Sequence, residues 1–357
     1  MRPSRTTALL KSFKMPQHSP KVFDMPNMEN YFIYHDYQYQ LVSHILVLGF
    51  GAMIAGLVYF LLTANSIMPK YRISSYIGCV VMVSAGLILF TQYQSWENAF
   101  TYVNDGDVSG WLNTSSVKTL DQDLAEAGAI SESSGPASGK LFSNGFRYMN
   151  WSIDVPALQI QLLAVIGVAG LSFVRNAVKF TIAGLAMIYF SYAAQFFEYG
   201  FAEWDNSNAA TWFWIYYILG WVAYLYILYA VYTSVFQQTE HLHPRAQRIM
   251  NGIWLLFLVS WTVYGIAIAI PAFAFSTHGV VWRQFLFTSA DIVSKVIYGA
   301  MLSQVALYQS AAEGYEPAIA ACQWDKVTSG DTIDYSAERE WRQRGGAEQT
   351  VSPGQTT

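Results

Sequence analysis

The stretch that decides the fold is VWRQFLFTSADIVSKVIYGAMLSQVALYQSA, residues 281–311. It is long and apolar enough to cross a bilayer, yet Asp291 and Lys295 lie far from both of its ends, where a charge is costly. A helix places these two side chains on one face, one turn apart. Two explanations fit the lysine: an ion pair with Asp291 between helices, or an amine that forms a Schiff base with a carbonyl compound. The second explanation requires a pocket and a counter-charge elsewhere in the chain.

The composition is that of a membrane protein. Of 357 residues, 53% are hydrophobic and only 12% are charged, whereas soluble domains carry about 25% charged residues. The net charge of −4 gives no reason to expect a nucleic-acid partner. The two cysteines, Cys79 and Cys322, define no disulfide framework, and the histidines show no metal-ligand spacing.

Seven apolar segments have lengths near the roughly 20 residues that a membrane-spanning helix needs. The sequence therefore predicts an all-α membrane protein, a seven-transmembrane-helix bundle over residues 41–311. A long loop at about 97–145 has the Gly, Ser, Asn and Asp clusters of turns and room for a hairpin. The seven segments are placed at 41–63, 74–96, 146–168, 178–198, 209–236, 249–274 and 281–311.

Basic residues in the short loops set the expected orientation. Lys70 and Arg72, Arg175, and Arg245 and Arg248 mark three cytoplasmic loops by the positive-inside rule. The N-terminus and the loop at about 97–145 are then outside and the C-terminus is cytoplasmic, and we expect the plasma membrane as the location.

The two ends of the chain are polar. We expect residues 1–40 to form an extracellular segment with a short amphipathic helix. Its basic start conflicts with an outside N-terminus, which indicates a targeting extension or processing. We expect residues 312–357 to form a disordered cytoplasmic tail.

A polar stripe runs through the third segment, FRYMNWSIDVPALQIQ, residues 146–161. Asn150, Asp154 and Gln161 fall on one helical face and rise about 16 Å at 1.5 Å per residue. Gln161 alone is typical of a modest interhelical hydrogen bond. However, Asp154 is a buried acid that needs a cation, and Lys295 is a buried cation that needs an acid. The stripe therefore predicts a polar pathway beside Lys295.

Three aromatic residues provide a candidate pocket. Trp151 adjoins the stripe, and Trp261 and Tyr264 lie at the middle of the sixth segment. Each alone is more often a packing residue or an interfacial anchor. Together, the two tryptophans at mid-depth are placed to enclose an elongated apolar ligand.

These motifs resemble those of a microbial (type 1) rhodopsin. The match consists of R-Y-x-N-W-x-x-D-x-P at 147–156, W-T-x-Y at 261–264 and D-x-x-S-K at 291–295, and it extends over about residues 27–311. The spacing of Asn150, Asp154 and Gln161 is similar to the Asn-Asp-Gln motif of the light-driven sodium pump subfamily.

The resemblance implies all-trans retinal in the bundle core, bound to Lys295 as a protonated Schiff base. It implies that Asp154 is the counterion and proton acceptor and that Asn150 and Asp154 hold a transient sodium ion. The pocket residues would be Trp151, Trp261 and Tyr264. Further implied site residues are Asp291 and Ser294 beneath the chromophore, Gln161 and Ser84 on the uptake route, Arg147 beside the central cavity, and Glu198, Arg283 and Glu29 at the exit. Relatives form pentamers, so a homo-oligomer in the lipid bilayer is expected.

Several positions depart from that pattern. Lys140 stands where the sodium pumps carry an Asp, which removes support for an ion site between protomers. Gly265 replaces an expected proline and should alter retinal packing and colour. Ser75 and Ser303 replace Asn and Gly at the cytoplasmic entrance, where they bear on ion selectivity.

The leading hypothesis is a transporter and not an enzyme: a light-driven outward sodium pump that moves protons when sodium is absent. Amides at 150 and 161, where a proton pump would hold acids, do not exchange protons under ordinary conditions. The alternatives on the same scaffold are a light-gated ion channel and a photosensory rhodopsin. A fold alone does not choose among them.

Overall fold

The computed structural model describes residues 27–105, 108–113, 141–202, 205 and 207–329. In this part the chain forms a bundle of seven long helices, which confirms the predicted all-α, seven-helix fold. In chain order the helices are α1 (Asp36–Thr63), α2 (Pro69–Ala99), α3 (Gly145–Val165), α4 (Gly170–Gln195), α5 (Ala209–Ser234), α6 (Pro244–Phe273) and α7 (Thr277–Ala312).

Six of the described helices are long and apolar enough to cross a membrane, and α3 falls below that hydropathy. Its polar side chains face inward, with Arg147, Asn150, Asp154 and Gln161 all at most 3% exposed. Because these groups are turned away from lipid, the low hydropathy of α3 reflects a polar interior and not a helix outside the bundle.

The start of α4 lies earlier than the sequence predicts. The apolar pattern begins at 178, whereas the helix begins at Gly170 and includes Arg175 and Lys179. The Lys179 ammonium lies 5.7 Å from the ring centroid of Tyr226. A basic residue fits into this helix because the aliphatic part of a long basic side chain can cover apolar surface. The helix also ends earlier, at Gln195, and leaves Glu198 in a 3-10 turn.

The middle of α7 is not a regular α-helix. The residues Ile292–Ile297 form a π-helical turn between two α-helical parts. Such turns are rare and are frequently found at functional sites. Ser294 and Lys295 lie on this turn and are 2% exposed, so the irregular backbone coincides with the buried amine.

A hairpin follows α2, as the loop composition allowed. Its strands, β1 (Phe100–Asp105) and β2 (Val108–Asn113), are antiparallel from Phe100↔Asn113 to Asp105↔Val108. The end of the bundle that carries this hairpin is called the hairpin end below. The rest of the predicted loop, 114–140, includes Lys140 and lies outside the described residues.

The hairpin binds the segment before α1. The backbone groups of Trp111 and Tyr34 exchange two hydrogen bonds of 2.8 and 2.9 Å. Gly110 permits this approach, because a Cβ there would lie 2.8 Å from the Tyr34 carbonyl oxygen. The Trp111 ring stacks on Tyr39 of α1 with centroids 3.8 Å apart.

The prediction of an amphipathic helix before α1 is wrong for the described residues. The segment contains a short 3-10 helix, Met28–Tyr31, whose first three residues are buried. Glu29 is completely buried because it pairs with Arg283 of α7. An interfacial helix would leave this carboxylate outside the bundle. Residues 1–26 lie outside the described part.

The chain after α7 is helical where the sequence predicts disorder. Helix α8 spans Glu316–Ser329 and begins with Glu-Pro, residues suited to a first helical turn. Ala318 is fully buried. Just before α8, Glu313 pairs with Lys70 at 2.5 Å, which ties the end of α7 to the start of α2. The prediction for 330–357 lies outside the described residues.

Candidate functional site

Lys295 lies between two carboxylates in the middle of the bundle. Its Nζ contacts Oδ1 of Asp291 and lies 3.4 Å from Oδ2 of Asp154 on α3. All three side chains are at most 3% exposed. The structure therefore contains the ion pair between Lys295 and Asp291. It also contains a second carboxylate, Asp154, which an attachment site needs as a counter-charge.

The two carboxylates have unequal sets of partners. Asp291 accepts from Trp151 at 3.2 Å and from Tyr264 at 2.7 Å, and its other oxygen accepts from Arg147 at 2.8 Å. Asp154 uses one oxygen, Oδ2, while its buried Oδ1 has no hydrogen-bond partner. Donors stabilise the ionised form of a carboxylate. Asp154 is therefore the carboxylate with an oxygen free to receive a proton or a cation.

Asn150 connects Asp154 to α2. Its amide Nδ2 donates to Oδ2 of Asp154 at 2.7 Å, and its Oδ1 accepts from the Ser84 hydroxyl at 2.7 Å. The structure therefore places Ser84 against Asn150. The resemblance instead implies that Ser84 lies with Gln161 on the uptake route.

Gln161 belongs to a separate polar group, nearer the end opposite the hairpin. Its amide donates to the backbone carbonyl of Ser74 at 3.0 Å, and its Oε1 is buried without a partner. The buried hydroxyls of Ser74 and Ser75 also have none. Ser303 is buried as well, at 2% exposed. The predicted polar stripe of α3 thus divides into one group around Asp154 and one around Gln161.

A cavity runs from Lys295 and Asp154 between α3, α4, α5 and α6. Trp151, Trp261 and Tyr264, the three aromatic residues singled out in the sequence, all line it. Sequence reasoning missed the wall supplied by α4 and α5, because no motif marks it. The other lining residues are Val155, Leu158, Met187, Ile188, Ser191, Tyr217, Gly220, Trp221, Tyr224, Gly265, Ile268 and Ser294.

Gly265 gives the far end of this cavity its shape. A Cβ at this position would lie 2.6 Å from the Trp221 ring, so the indole occupies the space of a larger side chain. Tyr217 donates to the backbone oxygen of Gly265 at 3.2 Å. A largely apolar slot with six aromatic side chains in its lining, which ends at an amine and an acceptor oxygen, fits an elongated apolar aldehyde such as retinal.

A second charged group lies at the hairpin end. The Arg283 guanidinium pairs with Glu29, and it pairs with Glu198 at 2.6 Å. The backbone N–H of Met28 donates to the other Glu198 oxygen at 3.1 Å. All three charged side chains are at most 2% exposed. The structure thus brings together the three residues that the resemblance assigned to the exit.

The two glutamates differ in their affinity for protons. Burial raises the pKa of Glu198 to about 7, against the pull of Arg283 and with the added repulsion of Glu29. Burial would also raise the pKa of Glu29, but attraction to Arg283 and hydrogen bonds from Arg283 and Asn144 bring it below its ordinary value. Near neutral pH the group can therefore hold one proton, on Glu198.

Sequence reasoning also missed Gln284, which lies between the two charged groups. It is fully buried, and its amide is hydrogen-bonded to Arg147 on one side and to Glu29 on the other. The available signal was its position seven residues before Asp291, on the same face of α7.

A family model described as bacteriorhodopsin-like protein matches residues 40–309, so the chain belongs to this family of microbial rhodopsins. The chain is 24% identical over 171 residues to the green-light absorbing proteorhodopsin of Gamma-proteobacterium EBAC31A08. That match spans 46% of this chain and 62% of the relative, which is less than two thirds of its length. The family implies a retinal chromophore.

Solved structures share the fold. The crystal structure of thermophilic rhodopsin has a TM-score of 0.63 at 23% identity and covers 79% of this chain and 98% of its own. Xanthorhodopsin, described as a light-driven ion pump with dual chromophore, has a TM-score of 0.62 at 24% identity, with 80% and 100% covered. A light-driven proton pump from Leptosphaeria maculans has a TM-score of 0.52 at 16% identity, with 74% and 95% covered.

Proposed function

We propose that the protein is a light-driven outward sodium pump that binds retinal through Lys295. The observation that supports this most is the set of groups around Asp154. Asp154 keeps one free oxygen, and its other oxygen accepts from Asn150, which itself accepts from Ser84. This amide and this hydroxyl supply oxygen atoms but no exchangeable acid. Oxygen ligands are those that hard cations prefer.

Charge on the Lys295 nitrogen is the barrier in this scheme. A cation held about 4 Å from that nitrogen is repelled by about 4 kcal/mol at an effective dielectric constant of about 20. This corresponds to a factor of roughly a thousand in occupancy. Moving the proton from Lys295 to Asp154 removes the repulsion, and returning it restores the barrier.

Retinal bound to Lys295 would supply the light absorption and the change of shape that starts this transfer. The chain's own residues do the rest. Asp154 accepts the proton on its free oxygen, and Asn150 with Ser84 offers oxygens to the ion. Asp291 holds Arg147 on the hairpin side of the site, where its positive charge repels a sodium ion. The ion therefore leaves only after the contact between Arg147 and Asp291 breaks.

The direction of transport depends on the orientation of the bundle. With the hairpin end outside, the groups around Gln161, Ser74 and Ser75 form the cytoplasmic entrance. Their unpartnered oxygens give an incoming sodium ion or its water polar contacts in an otherwise apolar region.

The first test is the light-induced pH change of cells that carry the protein with retinal in sodium chloride. Sodium export leaves the interior negative and draws protons in, so the medium becomes alkaline. A protonophore should enlarge this signal, and replacing sodium by potassium should remove it. Acidification abolished by the protonophore would instead identify a proton pump. Currents that reverse with the ion gradient under voltage clamp would identify a channel, and no current would favour a photosensor.

The attachment site has its own test. Lys295→Ala removes the only amine proposed to bind retinal, so purified protein should show no retinal-dependent visible absorption. Lys179→Ala, on α4 at the bundle surface, is the control and should keep the pigment. Colour that survives Lys295→Ala would contradict the assignment.

A further inference from the structure

The ring of Phe60, on α1, lies between two glycines of neighbouring helices, and it is fully buried. A Cβ at Gly299 of α7 would lie 2.6 Å from Cζ of the ring, and a Cβ at Gly78 of α2 would lie 3.1 Å from each of three ring carbons. Glycine is unfavourable inside a helix relative to alanine, and here its lack of a side chain admits the ring. The two glycines therefore form a slot that the ring fills, called the Phe60 slot below.

The Phe60 slot lies one helical turn deeper in the bundle than the serines of the predicted entrance. On α2, Gly78 follows Ser74 by four residues and Ser75 by three. On α7, Gly299 precedes Ser303 by four residues. These spacings correspond to roughly 4.5–6 Å along a helix. The hydroxyls of Ser74 and Ser75 are buried without a hydrogen-bond partner among the described residues, so this group of polar side chains ends at the ring.

The central charged group begins on the other side of the ring. Lys295 precedes Gly299 by four residues, which places the amine one turn further toward the hairpin end. Met82, one turn deeper on α2, is 1% exposed, and its sulfur lies against Gly56, one turn before Phe60 on α1. The ring therefore lies between the level of the entrance serines and the level of Lys295.

Apolar side chains continue this layer across the bundle. Leu158 lies between Asp154 and Gln161 on α3 and is 3% exposed. The Tyr298 hydroxyl donates to the backbone oxygen of Leu158 at 3.3 Å, and the Tyr298 ring lies 6.4 Å from that of Phe257 on α6. A constriction lined by such side chains excludes water and so stops a hydrated ion. The layer thus accounts for the division of the polar stripe of α3 into two groups.

We propose that Phe60 is a hydrophobic gate, which separates the entrance from the central charged group until α7 moves. The inference rests on the proposed function, because a pump must not be open toward both sides at once. Once the proton has left Lys295, the amine no longer repels a cation. The Phe60 ring is then the barrier that keeps an ion held at Asp154 from returning to the entrance.

The position of the slot couples the gate to Lys295. One wall, Gly299, belongs to the helix that carries Lys295 and lies one turn away from it, whereas the other wall, Gly78, belongs to α2. A shift of α7 that follows a change at Lys295 therefore moves one wall against the other. The ring is released when the walls separate, and it is held again when α7 returns.

The first test measures access past the ring in the dark, with and without retinal. Met82→Cys is placed in a Cys79→Ser/Cys322→Ser background and treated with silver ion, a monovalent cation that binds soft thiolate ligands. The thiol should react slowly, and Phe60→Ala should raise the rate by about tenfold or more, because a hydrated path opens. Phe180→Ala is the matched control: it removes an equally large, 1% exposed ring from α4 and should leave the rate unchanged.

A side chain on the opposite wall of the slot should restore the gate. A Cβ at position 299 lies against the ring, so Gly299→Leu in the Phe60→Ala protein fills the emptied slot from α7. This double variant should react with silver as slowly as the protein with Phe60 intact, which general misfolding would not allow. Equal rates with and without Phe60→Ala, or a fast rate in the double variant, would overturn the proposal.

Transport measurements separate the gate from the proposed function. In cells with retinal, Phe60→Ala should replace outward sodium transport by light-dependent currents that reverse with the sodium gradient, and Phe180→Ala should keep the wild-type direction. Undiminished outward transport in Phe60→Ala would count against the gate. A wild type that moves no sodium, together with the faster silver reaction in Phe60→Ala, would reject the sodium pump and retain the gate.

Discussion

The two carboxylates beside Lys295 have different roles because their partners differ. Asp291 accepts four hydrogen bonds, including one from Arg147, whereas Asp154 keeps a free oxygen. The first arrangement holds an anion in place, and the second leaves a site for a proton. The role of each carboxylate therefore depends more on how many hydrogen bonds it accepts than on its distance from the Lys295 nitrogen.

Asp154→Asn and Asp291→Asn should consequently fail in different ways. Asp154→Asn removes the counter-charge 3.4 Å from Nζ, so we expect a folded pigment with red-shifted absorption and no transport. Asp291→Asn leaves Arg147 without its carboxylate, and breaking a buried ion pair in this way typically costs about 3–5 kcal/mol. Absorption spectra and thermal unfolding of both variants measure this difference. An unchanged spectrum in Asp154→Asn would show that the counterion is the other carboxylate.

The residue scale also shows how far sequence reasoning reaches. Spacing on one helix predicts that Asn150 and Asp154 share a face, and the structure joins them directly. Spacing does not predict contacts between helices, because these depend on the rotation and depth of each partner. For this reason the Ser84 contact and the hydrogen bonds of Gln284 could not be read from the sequence.

At the scale of elements, the hairpin determines where Glu29 lies. Trp111 pairs with Tyr34 through the backbone and stacks on Tyr39, and the Tyr34 hydroxyl donates to the Glu29 carbonyl at 2.7 Å. The segment before α1 is thus held in the mouth of the bundle from two sides. The hairpin thereby stabilises the buried ion pair between Glu29 and Arg283.

Trp111→Ala should loosen this segment. Losing the stack on a partly buried tryptophan should cost about 2 kcal/mol, below the value for a fully buried one. Hydrogen exchange at the Tyr34 amide should accelerate, as measured by mass spectrometry of peptides that cover 27–35. Asn104→Ala, at an exposed position of the same hairpin that pairs with Ser109, is the control and should leave this exchange unchanged. Equal exchange in Trp111→Ala and the wild type would show that the hairpin does not hold the segment.

Long apolar elements could be predicted from composition, but short ones could not. Each of the seven predicted segments overlaps a helix, since burying an apolar run in a bilayer leaves few other backbone options. The 3-10 helix at Met28–Tyr31 and the helix α8 depend on individual tertiary contacts, such as those of Glu29 and Ala318. These contacts leave no periodic pattern in the sequence.

For the molecule as a whole, the buried charges nearly balance. In the described residues, the buried lysine and arginine side chains are Lys295, Arg147 and Arg283, and the buried acids are Asp154, Asp291, Glu29 and Glu198. Three cations face four carboxylates, so full ionisation leaves one excess negative charge. One proton on Glu198 removes it, in agreement with the raised pKa of that group.

This balance makes stability depend on pH. The pKa of Glu198 is about 7 in the folded chain and 4.5 as an ordinary glutamate, so the folded state binds the extra proton between these values. The stability that this proton contributes is complete below pH 4.5 and is lost as the pH rises through about 7. At 1.36 kcal/mol per unit, the loss amounts to about 3 kcal/mol. Glu29 acts oppositely: its lowered pKa gives stability above its ordinary value that disappears as the medium becomes more acidic.

We therefore expect Tm of the purified protein to fall between pH 5 and pH 8, and Glu198→Gln to flatten that fall. The amide mimics the protonated acid, so the variant should resemble the wild type most closely at pH 5 and gain on it as the pH rises. Glu240→Gln, at an exposed glutamate, is the control and should follow the wild type throughout. If Glu198→Gln kept the wild-type slope, the excess charge would have to be neutralised elsewhere in the network. Asp154 would then be the group to test, because it has the remaining unpartnered carboxylate oxygen.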